Sequence, residues 1–132
     1  MHKRIRLWAS QSAFHLLRRF PRLVRSFLPW ILTHMSFAIP VHKLRETPGL
    51  LAFYHPQPGY PVHILIVPRR AIASLADLNP EDAPLLAEVF QTAQSLVEEL
   101  GLEREGYRLI VNGGIYQELP QLHWHLVAGE SK

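Results

Sequence analysis

No cysteine occurs anywhere in the 132 residues, which removes disulfides, thiolate nucleophiles and cysteine-ligated zinc or iron–sulfur centres from consideration. Such a chain tolerates a reducing compartment, so a cytoplasmic location is the expectation. Acidic residues are missing from residues 1–40, which hold seven Lys/Arg and no Asp or Glu. The formal charge of +3 therefore belongs to that segment, because residues 41–132 carry seven Lys/Arg against eleven Asp/Glu, a net of −4. A body of that sign lacks the basic face along which a nucleic-acid backbone runs, and nucleic acid is not an expected partner. Long apolar runs are absent as well: Phe27 to Leu32 is interrupted by Pro29 and falls far short of the roughly 18 to 20 residues that span a bilayer. Neither an internal repeat nor a low-complexity segment is found. An apolar fraction of 48% in a chain of this length fits one domain with a real core.

Residues 1–34 interleave Lys3, Arg4, Arg6, Arg18, Arg19, Arg22 and Arg25 with Trp8, Phe14, Phe20, Phe27, Trp30 and several leucines at helical spacing. This basic amphipathic extension has three readings: peripheral contact with an anionic membrane surface, an organellar presequence, or a stretch upstream of a true start at Met35. The compact domain is expected over residues 35–132.

Within that domain Leu50–Tyr54 and Val62–Val67 read as strands, separated by a loop with three prolines and a glycine between His55 and Pro61. Ala71–Leu75 suggests a short helical turn. Asn79-Pro80-Glu81-Asp82 is a helix start, with a capping amide, proline at the first helical position and acids at the positive end of the dipole. Leu85, Leu86, Val89, Phe90, Ala93, Leu96, Val97 and Leu100 follow at three- and four-residue spacing up to Gly101, one apolar stripe on a long helix. Tyr107–Asn112 reads as a further strand, Gly113-Gly114 as a turn, and residues 121–127 as the last strand. One long helix among strands joined by short loops predicts an α+β fold with a mostly antiparallel sheet.

The chemistry concentrates in the last strand. Gln121-Leu122-His123-Trp124-His125-Leu126 alternates strictly, so Gln121, His123 and His125 are expected on one face and Leu122, Trp124 and Leu126 on the core face. Imidazole titrates near neutrality and serves as nucleophile, proton carrier or metal ligand. Three histidines drawn from His55, His63, His123 and His125 could hold zinc. No carboxylate motif accompanies them, and neither a metal nor another cofactor is expected.

These segments, from Ile39-Pro40 through Phe53, the Pro61-Val62-His63 strand, the capped helix and Gly106-Tyr107-Arg108 to the terminal strand, resemble the histidine triad (HIT) family, in particular its nucleotide-binding phosphoramidase branch. The family signature is His-x-His-x-His followed by two apolar residues. Here it stands as Gln121-Leu122-His123-Trp124-His125-Leu126-Val127. The resemblance implies a sheet of about five strands with one long helix packed on it, a homodimer, and a purine nucleotide or nucleotide conjugate as ligand. It implies hydrolysis or transfer at the α-phosphate through a nucleotidyl-histidine. By position, the nucleophile falls on His123, with His125 and His63 beside it. Nucleotide-binding positions fall on Asn112, Gly113, Gly114, Gln117, Gln121, Phe53, Tyr54 and His55. Three residues depart from the pattern: Gln121 replaces the first histidine, His55 stands where the family has an acid that holds ribose hydroxyls, and Glu118 stands where the phosphoramidase branch has a serine.

Overall fold

The structure is a computed structural model in which residues 43–132 are described; the basic extension predicted at 1–34 lies outside the described residues. Five strands form one antiparallel sheet. Strand β1 covers Lys43–Glu46, β2 Leu50–Tyr54, β3 Val62–Pro68, β4 Arg108–Val111 and β5 Trp124–Ala128. Their order across the sheet is β1-β2-β3-β5-β4, so the last strand of the chain is inserted between the third and fourth. Helix α1, Ala83–Leu100, connects β3 to β4. Among the described residues this is the expected α+β architecture, with five strands and one long helix.

The two faces of the sheet separate by residue parity. Leu50, Ala52, Ile64, Ile66, Trp124, Leu126 and Ala128 join Val89, Ala93, Leu96 and Val97 of α1 in one buried core. The alternate residues Leu51, Phe53, Leu65 and Val67 form a second buried cluster. Parity places His63 and His125 on this second face. Apolar side chains thus pack on both faces of the sheet, and only the second face also carries these imidazoles.

The α1 stripe is the one the spacing predicts, and Gly101 ends the helix with φ of 63°, a left-handed conformation that glycine adopts without the Cβ penalty. The start differs in detail. A single 3-10 turn over Pro80–Asp82 precedes the α-helix, and the buried Asp82 carboxylate both accepts from the Asn79 N–H at 3.0 Å and pairs with Arg70 at 2.6 Å. That ion pair ties the helix start to the segment after β3. The helical turn expected over Ala71–Leu75 forms instead over Leu75–Asp77, because the Asp77 carboxylate accepts from the Ser74 N–H and sets the turn's beginning there. Strand β1 carries Lys-Leu-Arg-Glu, a pattern with no apolar alternation, and pairs with β2 through a register shift between Lys43 and Arg45. Among the described residues no helix is long and apolar enough to cross a membrane.

Candidate active site

The register across the sheet fixes which side chains meet. Phe53 pairs with Leu65, Leu65 with His125, and His125 with Ile110, giving a continuous row from an apolar wall to an imidazole. His63 pairs with Val127 one step along β3. The His55 N–H donates to the His63 carbonyl at 2.8 Å, which extends the β2–β3 ladder and brings the His55 ring within 4.3 Å of the His63 ring, centroid to centroid. His123 stands just before β5, its ring centroid 5.0 Å from that of His125. All four imidazoles thus lie in one cluster, ordered His55, His63, His125, His123.

Hydrogen bonds assign the proton of each ring. The Gly59 N–H donates to His63 Nδ1 at 2.9 Å, so a neutral His63 carries its hydrogen on Nε2. That nitrogen lies 2.9 Å from His125 Nδ1 and donates to it, which leaves His125 with its own hydrogen on Nε2. His123 has the opposite arrangement. Its Nδ1 is 2.7 Å from the Gln121 carbonyl; a carbonyl only accepts, so Nδ1 bears the hydrogen and Nε2 keeps a lone pair. The pair therefore offers an N–H donor on His125 beside an unprotonated nitrogen on His123. For acyl or phosphoryl transfer this is the required division between a group that holds an oxygen and a group that attacks.

A profile of the HIT domain matches residues 36–132. The chain belongs to the HIT domain family. A HIT-like protein of Helicobacter pylori is 34% identical over 94 residues, covering 70% of this chain and 88% of that protein. One from Synechococcus elongatus is 37% identical over 95 residues, with coverage of 70% and 82%. Among solved structures, the HIT family hydrolase of Legionella pneumophila superposes with a TM-score of 0.70 at 34% identity, covering 76% of this chain and 92% of that one. The histidine triad nucleotide-binding protein of Candida albicans superposes with a TM-score of 0.62 at 28% identity, covering 74% and 71%.

The remaining positions of this HIT domain divide into two groups. Asn112 lies one residue beyond Val111, which pairs with Trp124, and so stands at the level of His123 across the sheet. Gly113 and Gly114 follow it into a 3-10 turn over Gly114–Tyr116, where Gly114 has φ of 59°, a value side chains rarely adopt. Phe53 lies on the histidine face, and Tyr54 alternates to the other. Gln117 and Gln121 behave differently from their neighbours. The Gln117 amide donates to the Ala73 and Leu119 carbonyls at 2.6 and 2.8 Å. The Gln121 amide donates to the Pro68 and Arg70 carbonyls at 3.1 and 2.8 Å, with the whole residue only 2% exposed. Alternation predicted Gln121 to be a cleft residue in a strand running from 121, whereas β5 begins at Trp124 because the Leu122 N–H is drawn to the Ile72 carbonyl at 2.7 Å and leaves the sheet ladder. Gly59, whose N–H orients His63, is a contribution that residue type does not reveal, since it comes from the backbone of a proline-rich loop.

His55, His63 and His125 also lie close enough to share a metal, with one nitrogen of each within 4.8 Å of the others. Their hydrogen bonds oppose this. A neutral histidine that ligates through one nitrogen carries a hydrogen on the other and donates it to an acceptor. In His63 and His55 the Nδ1 atoms instead accept, from the N–H groups of Gly59 and Gln57. Ligation through Nε2 would set two donors against each other at both residues.

Burial lowers the pKa of His123, partly offset by its bond to the Gln121 carbonyl and by the nearby Glu118 charge. Burial likewise lowers that of His63. His125 is pushed down to about 4, first by burial and then by its neighbours His123 and His63. All three rings are neutral at pH 7. An unfolded histidine takes up a proton as pH falls through about 6.5, while folded His125 resists until about 4. Stability is therefore fully present above pH 6.5 and is lost as pH falls toward 4. After discounting for partial exposure, the His125 contribution is on the order of 2 kcal/mol. Urea midpoints measured from pH 7 to pH 4 are expected to fall for the native chain and to fall less steeply for His125→Asn. Equal slopes would show that His125 titrates normally.

Proposed function

We propose that this HIT domain binds a purine nucleotide conjugate and hydrolyses it, or transfers its nucleotidyl group, at the α-phosphate. The observation that carries the reading is the opposed protonation of the adjacent rings: Nε2 of His123 holds a lone pair while Nε2 of His125 bears a hydrogen. His123 Nε2 attacks phosphorus and the bond from phosphorus to the leaving group breaks. The imidazole so modified gains positive charge, and its Nδ1–H remains bonded to the Gln121 carbonyl, which stabilises that charge. Water then attacks the same phosphorus and the phosphorus–nitrogen bond breaks. The leaving group takes up a proton from solvent as it departs, and the attacking water later returns one proton to solvent and leaves its hydroxyl on the nucleotide. His125 Nε2–H and Asn112 hold the non-bridging oxygens, with Gly113 and Gly114 permitting close backbone approach. His63 keeps His125 in its donor form. The base rests on the apolar wall of Phe53 and Leu65, with His55 at its margin; Tyr54, on the opposite face of the sheet, takes no part. Gln117 and Gln121 serve the site by holding its backbone.

The solved relatives support the class, since one is a HIT family hydrolase and another a histidine triad nucleotide-binding protein. The test is a panel of adenosine and guanosine phosphoramidates and dinucleotides, with and without chelator, followed by mass spectrometry for a nucleotidyl adduct on His123. Turnover with the adduct, unchanged by chelation, is expected. Tight binding of the whole panel without turnover would instead make the chain a nucleotide-binding module, the reading that Glu118 beside His123 favours because its carboxylate repels phosphate.

Strand β4 is an open edge of the described sheet, and a second copy pairing there would join two sheets into one, consistent with a homodimer. Residues 1–34 are proposed to govern location alone. A chain beginning at Met35 is expected to bind nucleotide as the full chain does, while the full chain alone adheres to anionic vesicles, less so in added salt. Equal vesicle binding by both would remove the membrane role.

A further inference from the structure

We infer that Gln121 is the positioning residue for His123: its side-chain amide holds in place the backbone carbonyl that decides which nitrogen of His123 is free to attack. The inference rests on the proposed nucleophilic role of His123 for its kinetic consequence, though not for its structural one.

A neutral imidazole carries its hydrogen on either nitrogen, and the partner it meets selects between them. Here the partner is the Gln121 carbonyl, 2.7 Å from His123 Nδ1. That carbonyl does not belong to a strand ladder, because β5 begins only at Trp124. What fixes it is a set of bonds to the end of β3 and the segment that follows it. Gln121 Nε2 reaches the Pro68 and Arg70 carbonyls, and the Leu122 N–H reaches the Ile72 carbonyl. Four residues earlier Gln117 Nε2 reaches the Ala73 carbonyl. The anchoring segment is itself secured, since Arg70 is paired with the buried Asp82 at the start of α1. A connected path thus leads from the helix start through Asp82, Arg70 and Gln121 to the ring of His123.

Glutamine suits this place for a chemical reason. Its single amide nitrogen carries two hydrogens and satisfies two carbonyls at once. Asparagine is one methylene too short to reach both, glutamate has no donor unless protonated, and histidine offers one hydrogen per nitrogen. Turning the amide over would set its oxygen against two carbonyl oxygens, so the orientation is determined. The consequence is that Gln121 Oε1 is buried with no hydrogen-bond partner. An unmet buried acceptor is destabilising. A position that served packing alone would be filled as well by an apolar side chain of the same length, without that penalty.

The test reads tautomers directly, by long-range proton–nitrogen NMR correlation on histidine side chains of the full chain. Native His123 is expected as the Nδ1–H form at pH 7. In Gln121→Met, of similar length but without donors, the Nε2–H form is expected to become populated. If the panel above yields a substrate, kcat is expected to fall roughly 10- to 100-fold with KM changed less than about twofold, the signature of a displaced attacking group. Leu126→Ala, which weakens the core on the far side of the sheet, should leave the tautomer unchanged. The inference is overturned if native His123 is the Nε2–H form, or if Gln121→Met retains the native tautomer. Should Gln121→Met not fold, Gln121→Asn and the native spectrum decide by the same criteria. Absence of turnover in the native chain counts against the proposed function and leaves the tautomer result to stand on its own.

Discussion

Replacing His123 with alanine is expected to reduce turnover of any accepted nucleotide conjugate by at least about two orders of magnitude while altering nucleotide affinity little. The reasoning is local. His123 has its Nδ1–H committed to the Gln121 carbonyl, and Nε2 is the lone pair the cluster sets beside the His125 donor. The apolar wall of Phe53 and Leu65 and the His125 N–H are separate from that nitrogen and persist without it. His123→Asn is the better comparison for binding, because it keeps a polar group near the Gln121 carbonyl. The measurement is kcat and KM by product formation, alongside nucleotide affinity by calorimetry. Retention of more than a few per cent of the native rate by both variants would place the nucleophile elsewhere.

Leu126→Ala is expected to destabilise the fold by about 2 to 5 kcal/mol, the usual range for removing a fully buried leucine side chain. Leu126 is 0% exposed, pairs with Ile64 and with Leu109 on the two neighbouring strands, and packs in the core that α1 covers. It is also the residue immediately after His125, on the opposite face. The same change should therefore lower the urea midpoint strongly and, at temperatures where the chain stays folded, leave the affinity for nucleotide near its native value. A stability loss below about 1 kcal/mol would mean that the surrounding side chains collapse into the space, which packing between two neighbouring strands and a helix makes hard.

Residue pattern showed the framework because burial imposes periodicity. Leu50–Tyr54 agrees with its predicted limits, and the stripe of α1 and its Gly101 terminus agree with theirs. Each is a place where side-chain parity or pitch decides whether apolar surface is covered. Strand β1 was not visible in its residues, since Lys-Leu-Arg-Glu takes strand form only because β2 offers it an edge. The histidines were legible as a group: alternation brought out His123 and His125, and the family resemblance added His63 and His55. Their protonation was not, because it depends on the Gly59 N–H and the Gln121 carbonyl, backbone atoms that every residue possesses. The roles of the two glutamines were hidden for a related reason. An amide's partners are set by which loop folds against it, and nothing in residues 117–121 points to carbonyls at 68–73.

The separation of faces also limits what kinds of genetic change this chain can absorb. Between Trp124 and Ala128 neighbouring side chains alternate between the helix-covered core and the histidine face. A substitution there alters one side only, so a change at Val127 leaves the helix-covered core in place. Losing or gaining one codon in that strand is another matter, because every residue beyond it would change sides: histidine would be driven against α1 and leucine set on the histidine face. The loops over residues 55–61 and 113–120 are not bound by that parity. Lineages of this domain are expected to remain constant in length through β3 and β5, the strands that carry His63 and His125.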